Sequence, residues 1–308
     1  MRASVETAIF YLKQGQPVAL PTETVYGLAA PLSNPDAIEK VFQLKGRPKN
    51  NPLIVHLSSI EQLSAYVDTL PENIQLLAQA FWPGPLTLVL PVNAGTIPSN
   101  VTCGLSTAAF RIPNHPQTLA IIDQVGPLVM PSANLSGRPS ATQAAHVEAD
   151  FGEDFPVVDG GSCTHGLEST ILISLEGQWK VLRQGAIPAS NLEFVLEEPV
   201  HIDESTDEEQ PLCPGRLYRH YAPKAKLLLS KDCVQAEAIL GFSDRNYPEE
   251  YPFFNLGRSS HPEEAANRLY ACLRALDDRQ IKSAWVDTNF PRTKLWSTIY
   301  ERLHRASL

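Results

Sequence analysis

Three cations, Lys45, Arg47 and Lys49, fall within five positions of the segment Lys45-Gly46-Arg47-Pro48-Lys49-Asn50-Asn51-Pro52. Proline fixes its own φ and drives the preceding residue to extended backbone, so Pro48 and Pro52 predict a stiff, extended loop. Lys and Arg heads on such a loop suit phosphate, arginine as a bidentate fork and lysine as a point charge. The plain alternative is a solvated basic loop. An apolar strand pattern, Leu53–Leu57, follows at once and carries His56 near its end. Alone, His56 reads as a structural histidine.

Five other polar groups sit where strands end. Pro21-Thr22-Glu23-Thr24-Val25-Tyr26-Gly27-Leu28 offers two hydroxyls and a carboxylate to a small polar ligand, or is a turn capped by Thr24. Pro131-Ser132-Ala133-Asn134-Leu135-Ser136-Gly137 offers Ser132 and Asn134 for phosphate or ribose, with the Ser140 hydroxyl at an expected helix start. Arg111 ends the strand Thr107–Ile112 and suits a carboxylate, or forms a surface ion pair. Leu167-Glu168-Ser169-Thr170 and Arg183-Gln184-Gly185 complete the set. The chain has no GxxxxGK[ST], HExxH or GxSxG, so a P-loop, a zincin helix and a hydrolase elbow are excluded.

The elements that must hold these residues follow from periodicity. The 308 residues suffice for two domains, and 43% hydrophobic with 19% charged residues is an ordinary globular balance. The first 196 residues read as a mixed α/β domain, with a helix over Pro35–Leu44 capped by Asn34 and strong strands at Leu86–Leu90 and Thr107–Ile112. Glu176-Gly177 reads as a hairpin turn. Residues 197–223 read as a linker. Seven acidic residues lie between Glu197 and Glu209, and without them the net charge of −9 becomes −2. That run reads as a solvated tether, followed by the dense Pro214-Gly215-Arg216-Leu217-Tyr218-Arg219-His220-Tyr221. Residues 224–308 alternate strand and helix, including an expected helix at Cys233–Ile239, and suggest a small three-layer domain with a parallel sheet. It has no GxGxxG. Five scattered cysteines without a CxxC pair suggest free thiols in the cytoplasm, and no apolar run approaches the roughly 18 residues of a membrane span. The acidic balance argues against a strongly basic nucleic-acid binder.

Taken in order, PTETVYGL, KGRPKNNPLIVH, FWPGPLTLVL, PSANLSG, LESTIL and LRQGAI, then PGRLYRHYAPK, closely resemble the threonylcarbamoyl-AMP synthase family in its two-domain form. The resemblance implies a YrdC-like twisted mixed sheet with helices, and a smaller Rossmann-like α/β C-terminal domain. It implies synthesis of L-threonylcarbamoyladenylate from L-threonine, bicarbonate and ATP, with release of pyrophosphate, by a nucleotidyltransferase. Downstream threonylcarbamoyl-transferase proteins would use the product on tRNA, and a weak tRNA contact is a further expectation. Carried over by position, ATP falls to Lys45, Arg47, Asn51, Thr107, Ser132, Asn134, Ser140, Arg183 and Tyr221. Threonine falls to Thr24, His56, Arg111 and Ser169. Lys45 and Arg47 would act on the phosphates, so losing either should abolish turnover while leaving the melting temperature nearly unchanged. Mg²⁺ is expected with ATP, its protein ligands unassigned. Arg219, His220 and Tyr221 would gate the cleft. Cys213 and Arg216 stand where family linkers often carry Ser and Met. The competing reading is a non-catalytic module for double-stranded RNA or tRNA.

Overall fold

A computed structural model describes residues 1–203, 213 and 221–308. The first domain contributes strands β1 (Val18–Leu20), β2 (Gly27–Pro31), β3 (Ile54–His56), β4 (Leu86–Pro91), β5 (Thr107–Arg111), β6 (Leu128–Val129), β7 (Thr170–Leu175), β8 (Gln178–Arg183) and β9 (Val200–Ile202). Its helices are α1 (Val5–Lys13), α2 (Pro35–Lys45), α3 (Glu72–Phe81), α4 (Ser99–Thr102), α5 (Pro116–Val125), α6 (Ala144–Phe151) and α7 (Ala189–Leu196). Among the described residues the strands form one mixed sheet in the order β1-β2-β6-β3-β5-β4-β7-β8-β9. The main core buries one face of it beneath helices, with Ile38, Val41 and Phe42 of α2 and Leu77 of α3 against Val55, Leu88 and Phe110. The opposite face carries a small apolar patch, Ile54, Val89, Ala109, Ile171, Ile173 and Leu182, covered by Cys213 of the linker.

The second domain has β10 (Lys226–Ser230), β11 (Ala238–Gly241), β12 (Phe253–Asn255), α8 (Pro262–Asp278), β13 (Ser283–Asp287) and α9 (Lys294–Ser307). Its described strands are all parallel, in the order β10-β13-β11-β12. Leu269 and Leu273 of α8 and Ile299 and Leu303 of α9 share one cluster with Leu227, Leu240, Ala284 and Val286. Both helices therefore lie on one face of the sheet. The expected helix at Cys233–Ile239 is absent; its first residues form a loop and Ala238–Gly241 is a central strand. A short run buried on both faces loses the alternation that would have marked it as strand. That loop replaces the expected third layer.

Three other departures concern the site. β2 was not expected, because Gly27 and Pro31 are poor strand residues; it pairs antiparallel with β1 and with β6. Val200–Ile202 pairs parallel with β8, so the first sheet extends past the expected boundary at residue 196. Lys45 is the last residue of α2 and not part of an extended loop, since Gly46 supplies the left-handed C-cap at φ 59°. Asn34 caps the other end of α2 as expected, accepting from the Ala37 N–H at 3.0 Å.

Candidate functional site

A cleft opens beside the small apolar patch and shares Ile54 with it. Ten of the thirteen residues assigned from sequence line it: Thr24, Arg47, His56, Arg111, Ser132, Asn134, Ser140, Ser169, Arg183 and Tyr221. Strand pairing brings them together. β3 runs parallel to β5 with His56 opposite Arg111, and β6 pairs with β3 and leads directly into the Ser132–Asn134 loop. The Tyr26 carbonyl accepts from the Ala133 N–H at 2.7 Å, which ties the PTETVYGL segment to that loop.

One end of the cleft is built around a buried ion pair. Arg111 Nη2 lies 2.7 Å from Glu23 Oε1, each side chain about 5% exposed. Arg111 Nε donates to the Gly84 carbonyl at 3.2 Å, and Glu23 Oε2 accepts from the Asn114 N–H at 3.0 Å. The alternative of a surface ion pair is thereby replaced by a fixed, desolvated one. Thr22 Oγ1 accepts from the Thr24 and Val25 N–H groups at 3.2 Å, so the hydroxyl-rich segment is a side-chain turn that places Thr24. Burial, reinforced by nearby Arg111, pushes His56 down to about 3, so its ring is neutral. Its Nδ1 lies 3.2 Å from the Ile54 carbonyl, which can only accept; Nδ1 therefore carries the hydrogen and Nε2 keeps a lone pair. Ser169 Oγ is 2.7 Å from Thr87 Oγ1 and accepts from Arg183 Nη2 at 3.1 Å.

Of the residues expected to hold ATP, three depart from expectation. Lys45 does not line the cleft. It is 3% exposed, and its Nζ donates to the Ser132 carbonyl at 2.5 Å and the Asn134 carbonyl at 2.6 Å. Burial pushes its ammonium well below the usual lysine range, and Arg47 adds to that. Lys45 thus braces the Ser132–Asn134 loop from behind. Asn51 is buried beneath the basic loop, its carbonyl accepting from Arg47 Nε and Nη2 at 3.3 Å. Thr107 begins β5, about 13 Å along the strand from Arg111 at 3.3 Å per residue, and is outside the cleft lining. Arg47 is half-buried and lines the cleft, with Nη2 donating to the Pro52 carbonyl at 2.9 Å. Ser140 lines the cleft four residues before α6 begins, not at the helix start. Arg219 and His220 lie outside the described residues, while Tyr221 is buried and stacks on Tyr270 at 5.3 Å.

Glu168 and Arg138 also line the cleft and had been given no role from sequence. Arg138 pairs with Asp150 at 2.6 Å, and Asp150 binds Arg274 of α8 at 2.8 Å. Glu168 accepts from Ser140 Oγ at 2.7 Å, from Tyr270 Oη at 2.9 Å and from Arg302 Nε at 3.1 Å. The signal for Arg302 was a charge inside the apolar stripe of α9, since a buried arginine requires a partner. Among the described residues no three His, Cys, Asp or Glu side chains stand together as a metal site.

The mixed sheet has α2 and α3 on one face and α1 and α5 on the other, and beside its strand ends a cleft sets basic and hydroxyl groups next to a buried Arg–Glu pair. The Sua5/YciO/YrdC family model, described as telomere recombination, matches residues 11–185. The model described as threonylcarbamoyl-AMP synthase, C-terminal domain, matches residues 187–307. The threonylcarbamoyl-AMP synthase of Bacillus subtilis is 38% identical, over 98% of this chain and 92% of its own length. The crystal structure of Pyrococcus abyssi Sua5 complexed with L-threonine superposes with a TM-score of 0.89 at 33% identity, covering 100% of this chain and 96% of that one. The chain belongs to the threonylcarbamoyl-AMP synthase family, in its two-domain form. A Klebsiella pneumoniae threonylcarbamoyl-AMP synthase, 36% identical, matches 59% of this chain with 96% of its own length, and so lacks a counterpart to the remainder.

Proposed function

We propose that this chain makes L-threonylcarbamoyladenylate from L-threonine, bicarbonate and ATP, releasing pyrophosphate, for threonylcarbamoyl modification of tRNA by downstream transferase proteins. The observation that carries the reading is the convergence of Arg47, Ser132, Asn134, Ser140 and Arg183 with Thr24, His56, Arg111 and Ser169 on one cleft. A concave cleft lined by hydroxyl, amide and guanidinium groups, in a chain of net charge −9, favours a nucleotide and an amino acid over an RNA duplex.

In the reaction, threonine's amine adds to carbon dioxide and loses a proton, or adds to the bicarbonate carbon with loss of water, giving a carbamate. A carbamate oxygen attacks the α-phosphorus as the bond to the bridging oxygen breaks, and pyrophosphate leaves. Repulsion between anions is the first barrier. Arg47 lowers it at the phosphates, beside the Ser132–Asn134 loop that Lys45 braces. Arg111, held by Glu23, orients the threonine carboxylate. The His56 Nε2 lone pair accepts from threonine without adding charge. Catalysis comes from positioning and electrostatics, without a covalent enzyme intermediate. Mg²⁺ would arrive on the ATP phosphates. Pyrophosphate release should require threonine and bicarbonate together; equal release without threonine would refute the proposal. Tight, salt-sensitive tRNA binding with no ATP turnover would support the RNA-binding alternative.

A further inference from the structure

Glu168 sits at the floor of the cleft and is bound from both domains. Ser140 Oγ, from the first domain, donates to Oε1 at 2.7 Å. From the second domain, Tyr270 Oη donates to Oε2 at 2.9 Å and Arg302 Nε donates to Oε2 at 3.1 Å. Arg302 also donates through Nη2 to the Gln184 carbonyl at 2.5 Å, and its guanidinium covers the Tyr221 ring at 4.9 Å. Burial pushes the Glu168 carboxyl up, but Arg302, Arg183 and the Ser140 hydroxyl together hold it below its ordinary value, so it is ionised near neutrality.

An ionised carboxylate only accepts hydrogen bonds. The single Ser140 hydrogen is therefore committed to Glu168, and the hydroxyl, 1% exposed but part of the cleft lining, turns only lone pairs toward a ligand. Such a serine cannot donate to phosphate. It can accept from a ligand O–H or N–H. We infer that Ser140 is a specificity-determining acceptor for a hydrogen-bond donor on the nucleotide, and that Tyr270 and Arg302 of the second domain are positioning residues that fix its polarity through Glu168. The inference rests on the nucleotide reading of the cleft and gives the second domain a part in substrate recognition. A ribose hydroxyl and the adenine amino group share the donor chemistry.

The test is equilibrium binding of nucleotide to the full chain, which needs no turnover. Ser140→Ala should weaken ATP binding about tenfold, the size of one ligand hydrogen bond. Among 2′-deoxy-ATP, 3′-deoxy-ATP and purine riboside triphosphate, which lacks the amino group, one should bind about tenfold less tightly than ATP to the wild type. The same analogue should bind wild type and Ser140→Ala equally, and it identifies the donor. Tyr270→Phe keeps the ring stacked on Tyr221 and removes only the hydroxyl. It should raise KM for ATP several-fold, leave KM for threonine unchanged and keep Tm within a few degrees; Tyr270→Trp should not restore the ATP KM. Equal losses by Ser140→Ala for ATP and all three analogues would overturn the inference. So would Tyr270→Phe shifting both KM values together, or neither. A wild type that binds ATP with this analogue pattern but releases no threonine-dependent pyrophosphate would refute the synthase reading and leave the polarity of Ser140 standing.

Discussion

Replacing Lys45 by methionine separates bracing from direct phosphate contact. The change keeps much of the length of the side chain and removes two donors, at 2.5 and 2.6 Å from the Ser132 and Asn134 carbonyls. The Ser132 carbonyl retains the Asn134 N–H at 3.0 Å, so the larger loss falls on Asn134. A net charge-assisted bond contributes about 1.5–3 kcal/mol, and leaving a buried carbonyl unpaired costs about 1–3 kcal/mol. Their combination, about 2.5–6 kcal/mol, corresponds to a fall in Tm of about 5–24 °C for a domain of this size. Arg47→Met also loses donors to the Asn51 and Pro52 carbonyls, but at a more exposed residue, and should cost less stability than Lys45→Met while weakening ATP binding more. The sequence suggested that either loss would spare Tm; burial of Lys45 reverses that expectation for one of the two. Urea and thermal unfolding of both variants without ligand, alongside ATP binding, measure the difference. A Lys45→Met protein that melts within about 2 °C of wild type yet fails to bind ATP would refute the bracing role and return Lys45 to the phosphates.

Further outcomes follow from the same contacts. Glu23→Ala leaves Arg111 buried without its partner and should cost about 3–5 kcal/mol, with KM for threonine rising more than KM for ATP in steady-state assays. Gly185→Ala should lower both stability and activity, because a Cβ there would lie 2.3 Å from the Thr170 nitrogen and 2.5 Å from the Glu168 carbonyl oxygen, backbone atoms that cannot move aside. His56, pushed by burial to about 3, is neutral when folded, while the unfolded chain takes up a proton near 6.5. Its contribution to stability is therefore complete above pH 6.5 and falls as pH drops toward 3, by ~1.4 kcal/mol per pH unit and about 2 kcal/mol at pH 5. Urea unfolding from pH 7 to 5 should show this slope, reduced in His56→Gln.

The strand-end positions of Thr24, His56, Arg111, Ser132 and Ser169 were legible because short motifs between apolar runs mark where strands stop. Arg47 was legible from its proline-flanked loop. Lys45 was misread because its sequence neighbours are loop-like, whereas its environment is set by the last turn of α2 and by carbonyls 87 and 89 residues away. Asn51 was assigned as a ligand group; its main-chain carbonyl accepts from Arg47, and the residue is outside the cleft lining. Thr107 shares a strand with Arg111 but stands at its other end. Strand β2 was missed through Gly27 and Pro31, and β11 through its doubly buried run. The Glu168, Tyr270 and Arg302 network spans more than 130 positions, and no local pattern encodes a hydrogen bond between domains.

The most direct test of the central claim follows the carbon of bicarbonate. Incubated with ¹³C-bicarbonate, L-threonine and ATP, the protein should form a species that joins threonine to AMP through a ¹³C-labelled carbonyl, in step with pyrophosphate, as read by mass spectrometry. Pyrophosphate release with an unlabelled threonyl adenylate, or with AMP alone and no labelled adduct in promptly quenched samples, would contradict it.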